Sequence, residues 1–207
     1  IRVGDLNSII KFDYIFKNFA EIFQDKNFIE IGCIPGDYCA YFKLNFNCKI
    51  TGLDYGEEEF FKYTMNKYGI KDYKYIKMDF LNYLSTKKYD VVSSFGFIEH
   101  FCDTEDILLR HLDILRDGGY LVITVPNFKG MQYFYHRLFD WENSRLHNTD
   151  NAMSKRFFKS FFQKRGHKII FLDYYRYSDF WVEKPSKLYY YPITLIGLLL
   201  KMFLRII

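Results

Sequence analysis

An apolar run that ends in an acid and opens into two spaced glycines, FIEIGCIPGDY at residues 28–38, constrains this chain more than any other segment. Phe28, Ile29 and Ile31 read as a buried strand, Gly32 and Gly36 bracket a short loop, and a helical pattern resumes from Asp37. Strand, glycine-bearing loop and helix N-terminus in that order let backbone amides lie close to a bound nucleotide-like ligand. Glycine between a strand and a helix is common, so the loop takes its weight from the strands and acids spaced at fixed distances beyond it.

Residues 49–54, KITGLD, form a second short apolar strand ending in Asp54. Residues 57–69 predict a helix with acids in its first turn and a glycine at its end. Residues 73–80 alternate like a strand that finishes at Asp79, and residues 89–95, YDVVSSF, predict a fourth. A helix over 104–116 carries Ile107, Leu108, Leu109, Leu112 and Leu115. DGGYLVITVPN, residues 117–127, predicts a turn and then a deeply apolar fifth strand stopped by Pro126. Apolar residues at helical spacing over 6–23 predict one or two helices, an N-terminal cover spanning residues 1–27. Residues 154–175 predict a helix, a glycine stop at Gly166 and a sixth strand from Lys168.

Strands alternating with helices imply a parallel sheet covered on both faces, within a single α/β domain of 207 residues. Ligands on such sheets bind beyond the carboxyl ends of the strands, near the reversal of strand order. Glu30, Asp54, Asp79 and Phe95 all fall at or near such ends, which makes residues 28–127 the expected binding core. Residues 128–151 mix Tyr, Trp, His and Arg irregularly and are expected to cap the substrate.

The net charge of +4 comes without a basic block or aromatic–basic alternation, so no nucleic-acid groove is expected. Cys33, Cys39, Cys48 and Cys102 show neither a CxxC pair nor zinc-finger spacing, which predicts reduced, half-buried thiols in a cytoplasmic protein. No charged-then-apolar leader opens the sequence, so secretion is not expected. Residues 186–207 are expected to form an apolar C-terminal helix, with Lys201 and Arg205 on one stripe. It is too short and too charged for a comfortable membrane span. Packing on the domain or in a homodimer is preferred over contact with the inner membrane surface.

Residues 28–127 resemble class I S-adenosylmethionine-dependent methyltransferases, and a weaker likeness continues to Tyr174. The segments EIGCIPG (30–36), SFGFIEHF (94–101) and DGGYLVITVPN (117–127) carry the resemblance. They look most similar to ubiquinone-biosynthesis O-methyltransferases and to methyltransferases of cell-surface sugar pathways. The resemblance implies a doubly wound, mostly parallel seven-stranded Rossmann-like sheet, with a helical cap inserted after strand five and a final antiparallel strand. It implies S-adenosylmethionine as cofactor and S-adenosylhomocysteine as product. The implied cofactor residues are Glu30, Gly32, Cys33, Gly36, Tyr38, Asp54, Tyr55, Asp79, Phe80, Phe95 and Gly96. Asp54 would take the ribose hydroxyls, Asp79 the adenine amine and Phe80 the face of the ring. Loop amides at Gly32 and the helix start would hold the methionine end, with Glu30 orienting the loop or the amino group.

A dinucleotide-binding reading fails because the loop is G-x-x-x-G, with Ile34 where the G-x-G-x-x-G fingerprint needs glycine. Ile34 also departs from the methyltransferase pattern. A β-branched residue before Pro35 does not readily take positive φ, so the loop is expected to sit differently and to bind cofactor less well.

Methyl transfer from a sulfonium is a direct displacement, so the protein mainly aligns the acceptor, and a hydroxyl acceptor gains from a base. His100, next to Glu99 beyond strand four, and His147, in RLHNTDN at 145–151, are the expected catalytic residues. Asn127, Arg145 and Asn148 are expected to bind substrate. Arg137, Arg145 and Arg156 could hold a phosphate or carboxylate, although solvated charge is the simpler role for each. His111, His136 and His167 are expected at the surface or in packing. No carboxylate cluster is spaced like the magnesium site of catechol-type methyltransferases. Asp103 and Asp106 read as helix N-terminal acids, and no metal is expected. The expected acceptor is a sugar or sugar phosphate in surface glycan biosynthesis. The alternatives are a quinone or lipid-like acceptor, and a catalytically weak cofactor-binding or partner-binding protein.

Overall fold

β1, Asn27–Ile31, is apolar throughout except at Glu30 and its first residue, and such a strand must be covered on both faces. In the computed structural model, which describes residues 10–128, 133–134, 147 and 150–175, it lies at the centre of a parallel sheet. The order is β3-β2-β1-β4-β5, with β2 at Lys49–Asp54, β3 at Lys74–Lys77, β4 at Tyr89–Phe95 and β5 at Leu115–Thr124. Strand order reverses between β1 and β4, where Glu30 pairs with Ser93 and Ile31 with Ser94. The crevice beyond the carboxyl ends of those two strands is the ligand position of a doubly wound sheet.

Helices with both ends among the described residues are α1 at Asp13–Asn18, α2 at Ala20–Phe23, α3 at Asp37–Phe46, α4 at Glu58–Lys67, α5 at Thr104–Asp113 and α6 at Lys155–Lys164. The chain falls into two compact units. The first holds residues 1–97 and 106–124, and the second holds 98–105 and 125–207.

The aromatic richness of the sequence goes into the first unit's core. Phe42 of α3 lies 4.4 Å from Phe28, 4.9 Å from Phe23 and 5.0 Å from Phe16, centroid to centroid. Rings at these offsets gain about 0.5–1.5 kcal/mol per pair beyond their area burial. At the amino ends of the strands, Asp90 accepts from the backbone and side-chain amides of Asn27 at 2.7 and 2.8 Å and pairs with Arg116 at 2.7 Å. Burial pushes its carboxyl up, but these bonds outweigh that and hold it below its ordinary range. This end of the sheet is tied by charge, away from the ligand crevice.

In the second unit, α6 is entered through Ser154, whose Oγ accepts the Phe157 amide at 3.2 Å. Phe158 and Phe161, three residues apart on one face, are buried. Gly166, at φ +75°, stops the helix as its position in the sequence predicts. Arg165 stacks over Phe161 at 4.0 Å and pairs with Glu105.

Several expectations are corrected. The glycines of residues 117–119 do not make a turn before β5. The strand begins at Leu115, with a register irregularity between the Tyr89–Leu115 and Val91–Tyr120 pairings, so Gly118 takes its φ of +69° inside the strand. The preceding helix therefore ends at Asp113, and Leu115 and Arg116 belong to the sheet. β3 stops at Lys77, so Asp79 is no strand end. Its Oδ1 accepts the Leu81 amide at 2.9 Å and caps a short 3-10 turn, Phe80–Asn82.

Residues 168–175 form no strand, and the sheet has five strands among the described residues. A strand needs a ladder partner, and the stretch that follows Tyr175 lies outside the described residues. Most of the expected cap at 128–151, with Arg137, Arg145 and Asn148, lies outside them too, as do His136 and the apolar helix expected at 186–207. No helix among the described residues is long and apolar enough to cross a membrane.

Candidate functional site

In the first unit the site is built from the loop between β1 and α3. Gly32 takes φ +68°, and a Cβ there would come within 2.5 Å of the Phe97 ring. Gly36 takes φ +103° at the N-cap of α3, and its added Cβ would meet Phe61 at 2.9 Å. Both glycines are thus required twice, by backbone conformation and by space. Ile34 adapts without positive φ. Its amide donates to Asp54 Oδ2 at 3.1 Å, while Asp54 Oδ1 accepts the Gly56 amide at 2.9 Å. The Ile34 side chain packs where Gly56 lacks one, 2.6 Å from an ideal Cβ. Asp54 therefore bridges the end of β2 to the glycine loop, a tie that its place in the sequence does not disclose.

Glu30 is buried at the end of β1, and burial pushes its pKa up to about 8 against the thiol and amide bonds that Cys39 donates. Its Oε2 has no hydrogen-bond partner among the described residues. A buried carboxylate oxygen without a donor is costly, and a ligand ammonium group would satisfy it. Tyr38 and Phe95 stack face to face with centroids 3.8 Å apart, and burial drives the Tyr38 hydroxyl pKa upward. Tyr55 is exposed next to Asp54. Gly96, at φ +66°, donates its amide to Thr124 at 2.9 Å and closes the turn after β4.

Two expected site residues sit otherwise than predicted. Cys33 is buried in the core, its Sγ 2.6 Å from the Cβ that Gly52 lacks, so its thiol faces packing and only its backbone belongs to the loop. Cys39 and Cys48 are fully buried and Cys102 is exposed, so none of the four is the half-buried thiol expected. Phe80 is buried against His111 at 4.8 Å and Phe97 at 5.9 Å, which commits most of its ring to the protein. His111 is a packing residue. Its Nδ1 donates to Ile107 O at 2.7 Å, its Nε2 accepts from Ser94 Oγ at 3.1 Å, and burial lowers its pKa to about 4.

The second unit brings together the two expected catalytic histidines. His100 ends a short 3-10 turn, Ile98–His100, and its ring lies 4.7 Å from that of His147. Phe128 meets His147 edge-on at 4.9 Å. Glu99, absent from the site residues expected above, joins them: ligand atoms of Glu99, His100 and His147 all lie within 4.8 Å of one another. Three such groups could together hold a metal ion, an arrangement that no spacing in the sequence announces. Burial pushes the Glu99 pKa up to about 7, and its Oε2 has no hydrogen-bond partner among the described residues. An acid directly before His100 was visible in the sequence, but its burial beside a histidine 48 positions later was not. Asn127 is half-buried, and Arg156 and His167 are exposed.

Residues 10–172, well over half of the chain, match a family model described as a methyltransferase domain. No curated protein matches the chain. Among solved structures, the plantazolicin methyltransferase BpumL, in complex with a monoazolic desmethylPZN analog and SAH, is similar with a TM-score of 0.54 and 19% identity. That match covers 78% of this chain and 67% of BpumL. An O-methyltransferase family protein from Burkholderia thailandensis gives 0.58 and 12% identity, over 73% of this chain and 51% of that one. Coclaurine N-methyltransferase gives 0.48 and 16% identity, over 53% of this chain and 33% of that enzyme, so the chain spans about a third to two thirds of these proteins. The likenesses to BpumL and to the Burkholderia thailandensis protein bear on the fold, which is the doubly wound α/β sheet described above. On the family match, the chain belongs to the methyltransferase domain family.

Proposed function

We propose that this chain binds S-adenosylmethionine and transfers its methyl group to an oxygen of a small, sugar-type or sugar-phosphate-type acceptor. The observation that carries the cofactor assignment is Glu30: a buried carboxylate with an unpartnered oxygen, beside a loop whose two glycines are both held at positive φ. That donor set fits the cofactor, which offers an ammonium group and a ribose diol. Bound there, S-adenosylmethionine would supply a sulfonium-bound methyl group to an acceptor oxygen, the C–S bond breaking as the O–C bond forms and S-adenosylhomocysteine being the leaving group.

The chain's own residues do the rest. Glu30 holds the ammonium, and the loop amides approach the methionine end because Gly32 and Gly36 carry no Cβ. Asp54, already fixed by the Ile34 and Gly56 amides, keeps lone pairs for the ribose hydroxyls, each charge-assisted bond contributing about 1.5–3 kcal/mol. Tyr38 and Phe95 form an apolar stack that excludes water from the sulfonium. On the acceptor side, His100 and His147 assist loss of the hydroxyl proton. Oxygen is the favoured acceptor atom because a histidine pair serves a hydroxyl, and the sugar class rests on the resemblance of the histidine-bearing segments.

Calorimetric titration with S-adenosylhomocysteine tests the cofactor assignment. Micromolar binding that Asp54→Ala abolishes supports it, and a panel of nucleotide-linked and phosphorylated sugars then searches for the acceptor. If the unmodified protein does not bind, Ile34 and Pro35 have closed the loop and a partner-binding role takes its place.

A further inference from the structure

The cluster in the second unit carries chemistry beyond a base. Two imidazoles and one carboxylate present their ligand atoms within 4.8 Å of one another, and Glu99 Oε1 lies 4.0 Å from His100 Nε2. Ligands that share one ion tetrahedrally at bond lengths of about 2.0–2.2 Å stand roughly 3.3–3.6 Å apart. The Glu99–His100 gap therefore closes by less than about 1 Å, within the reach of a side-chain rotation. A second observation points the same way. Glu99 is 1% exposed, and its Oε2 finds no hydrogen-bond partner among the described residues. An anionic oxygen in that state is expensive unless a cation meets it. The burial is graded across the cluster: Glu99 is buried, His147 half-buried and His100 exposed, so one side remains open to an exogenous ligand.

We propose that Glu99, His100 and His147 form a binding site for one divalent first-row cation, Zn2+ foremost, whose open position takes the acceptor hydroxyl. Two imidazoles and a carboxylate select a borderline ion over Mg2+, which prefers an all-oxygen shell and keeps its waters. Methyl transfer involves no net electron gain or loss at the ion, so a redox-inert ion suffices. A hydroxyl held by such an ion ionises near neutral pH, and its proton passes to solvent or buffer while the oxygen lone pair stays available. The acceptor role rests on the function proposed above, but the cation site stands without it. With an ion bound, the histidines act as ligands rather than as the base, and the ion acidifies the hydroxyl in their place.

Co2+ is a suitable probe, because its visible spectrum reports donor type and geometry in a site built for Zn2+. The full chain, stripped with chelator, is titrated with Co2+ alone, and then with Zn2+ and with Mg2+ in competition. One Co2+ per chain is expected, with the visible bands of nitrogen and oxygen ligation, displaced by Zn2+ and not by Mg2+. Removing a supporting residue around a metal typically costs 10–100-fold in affinity. Glu99→Gln, His100→Asn and His147→Asn, which remove ligands outright, should each lose about tenfold or more.

Cys102, exposed and three positions after Glu99, is the local competitor, and Cys102→Ser should leave uptake unchanged. A sulfur-to-cobalt charge-transfer band that disappears in Cys102→Ser overturns the assignment. So does the absence of stoichiometric Co2+ uptake, or uptake that survives all three ligand substitutions. S-adenosylhomocysteine binding, measured on the same samples, controls for folding. In the unmodified chain, absence of Co2+ uptake with cofactor binding intact refutes this site alone, whereas absence of cofactor binding with Co2+ uptake intact refutes the methyltransferase reading alone.

Discussion

The glycine loop of the first unit and the Glu99–His100–His147 cluster of the second are both candidate sites, and they are encoded differently. The loop, its partner Asp54 and the glycines that make room for them span residues 30–56, and each position is dictated by backbone conformation or by steric room. Gly32 and Gly36 need positive φ and no Cβ, Gly52 must leave room for Cys33 and Phe61, and Gly56 must leave room for Ile34. The cluster joins neighbours at 99 and 100 to a histidine 47 positions beyond His100, through packing that has no local pattern. A site written locally announces itself in spacing. A site written by tertiary contact shows only residue types.

The sharpest way to break the comparison is Gly32→Val. The positive φ and the 2.5 Å approach to Phe97 together should abolish S-adenosylhomocysteine binding and cost about 1–3 kcal/mol of stability. Calorimetry and a denaturant midpoint measure both effects, and Co2+ uptake by the second unit should persist. If one substitution removes both activities, the two constellations are not independent.

Once an acceptor is in hand, His147→Asn and His100→Asn should each lower turnover about 10²–10⁴-fold. Cofactor affinity should stay unchanged, as read from the initial rate and a parallel calorimetric titration. Full turnover in both variants would remove the histidines from the chemistry.

Glu30→Gln sharpens the loop side. The folded-state pKa of about 8 lies above the ordinary value of 4.5, so the protein favours the protonated acid. The stability which that protonated form provides is complete below pH 4.5 and is lost as pH rises through 8. The glutamine variant should bind S-adenosylhomocysteine about tenfold more weakly, having lost a charge-assisted bond, yet melt no lower than wild type at alkaline pH. A lower melting temperature there would show that the ionised carboxylate has a stabilising partner.

The smallest effect belongs to His111, buried and neutral with its pKa lowered to about 4 from 6.5. Its contribution is intact above pH 6.5 and is lost as pH falls through 4, because the unfolded chain takes up the proton first. His111→Gln should flatten the acid limb of a melting-temperature profile, and an unchanged limb would assign acid sensitivity to other groups.

Legibility divided along the same line. β2 and β4 lie at the bounds their apolar runs predict, Lys49–Asp54 and Tyr89–Phe95, because a strand buried on both faces is a continuous apolar segment. The glycines before β5 misled because a bulge inside a strand and a turn before one call for the same residues. Asp79 misled because an acid that caps a 3-10 turn and an acid that ends a strand look alike in sequence. Cys33 misled because it lies in the glycine loop while its side chain turns into the core.

By itself the sequence determined the parallel sheet, the glycine loop with the acid Asp54 at the end of the next strand, and the methyltransferase family. These rest on short-range rules: apolar periodicity, positive φ and helix capping. Only the tertiary structure decided that Glu99 is buried with an unpartnered oxygen beside two histidines, and that Asp54 is already held by the Ile34 and Gly56 amides. Burial and hydrogen-bond partnership belong to three-dimensional neighbours, and no spacing along the chain specifies which neighbours those are.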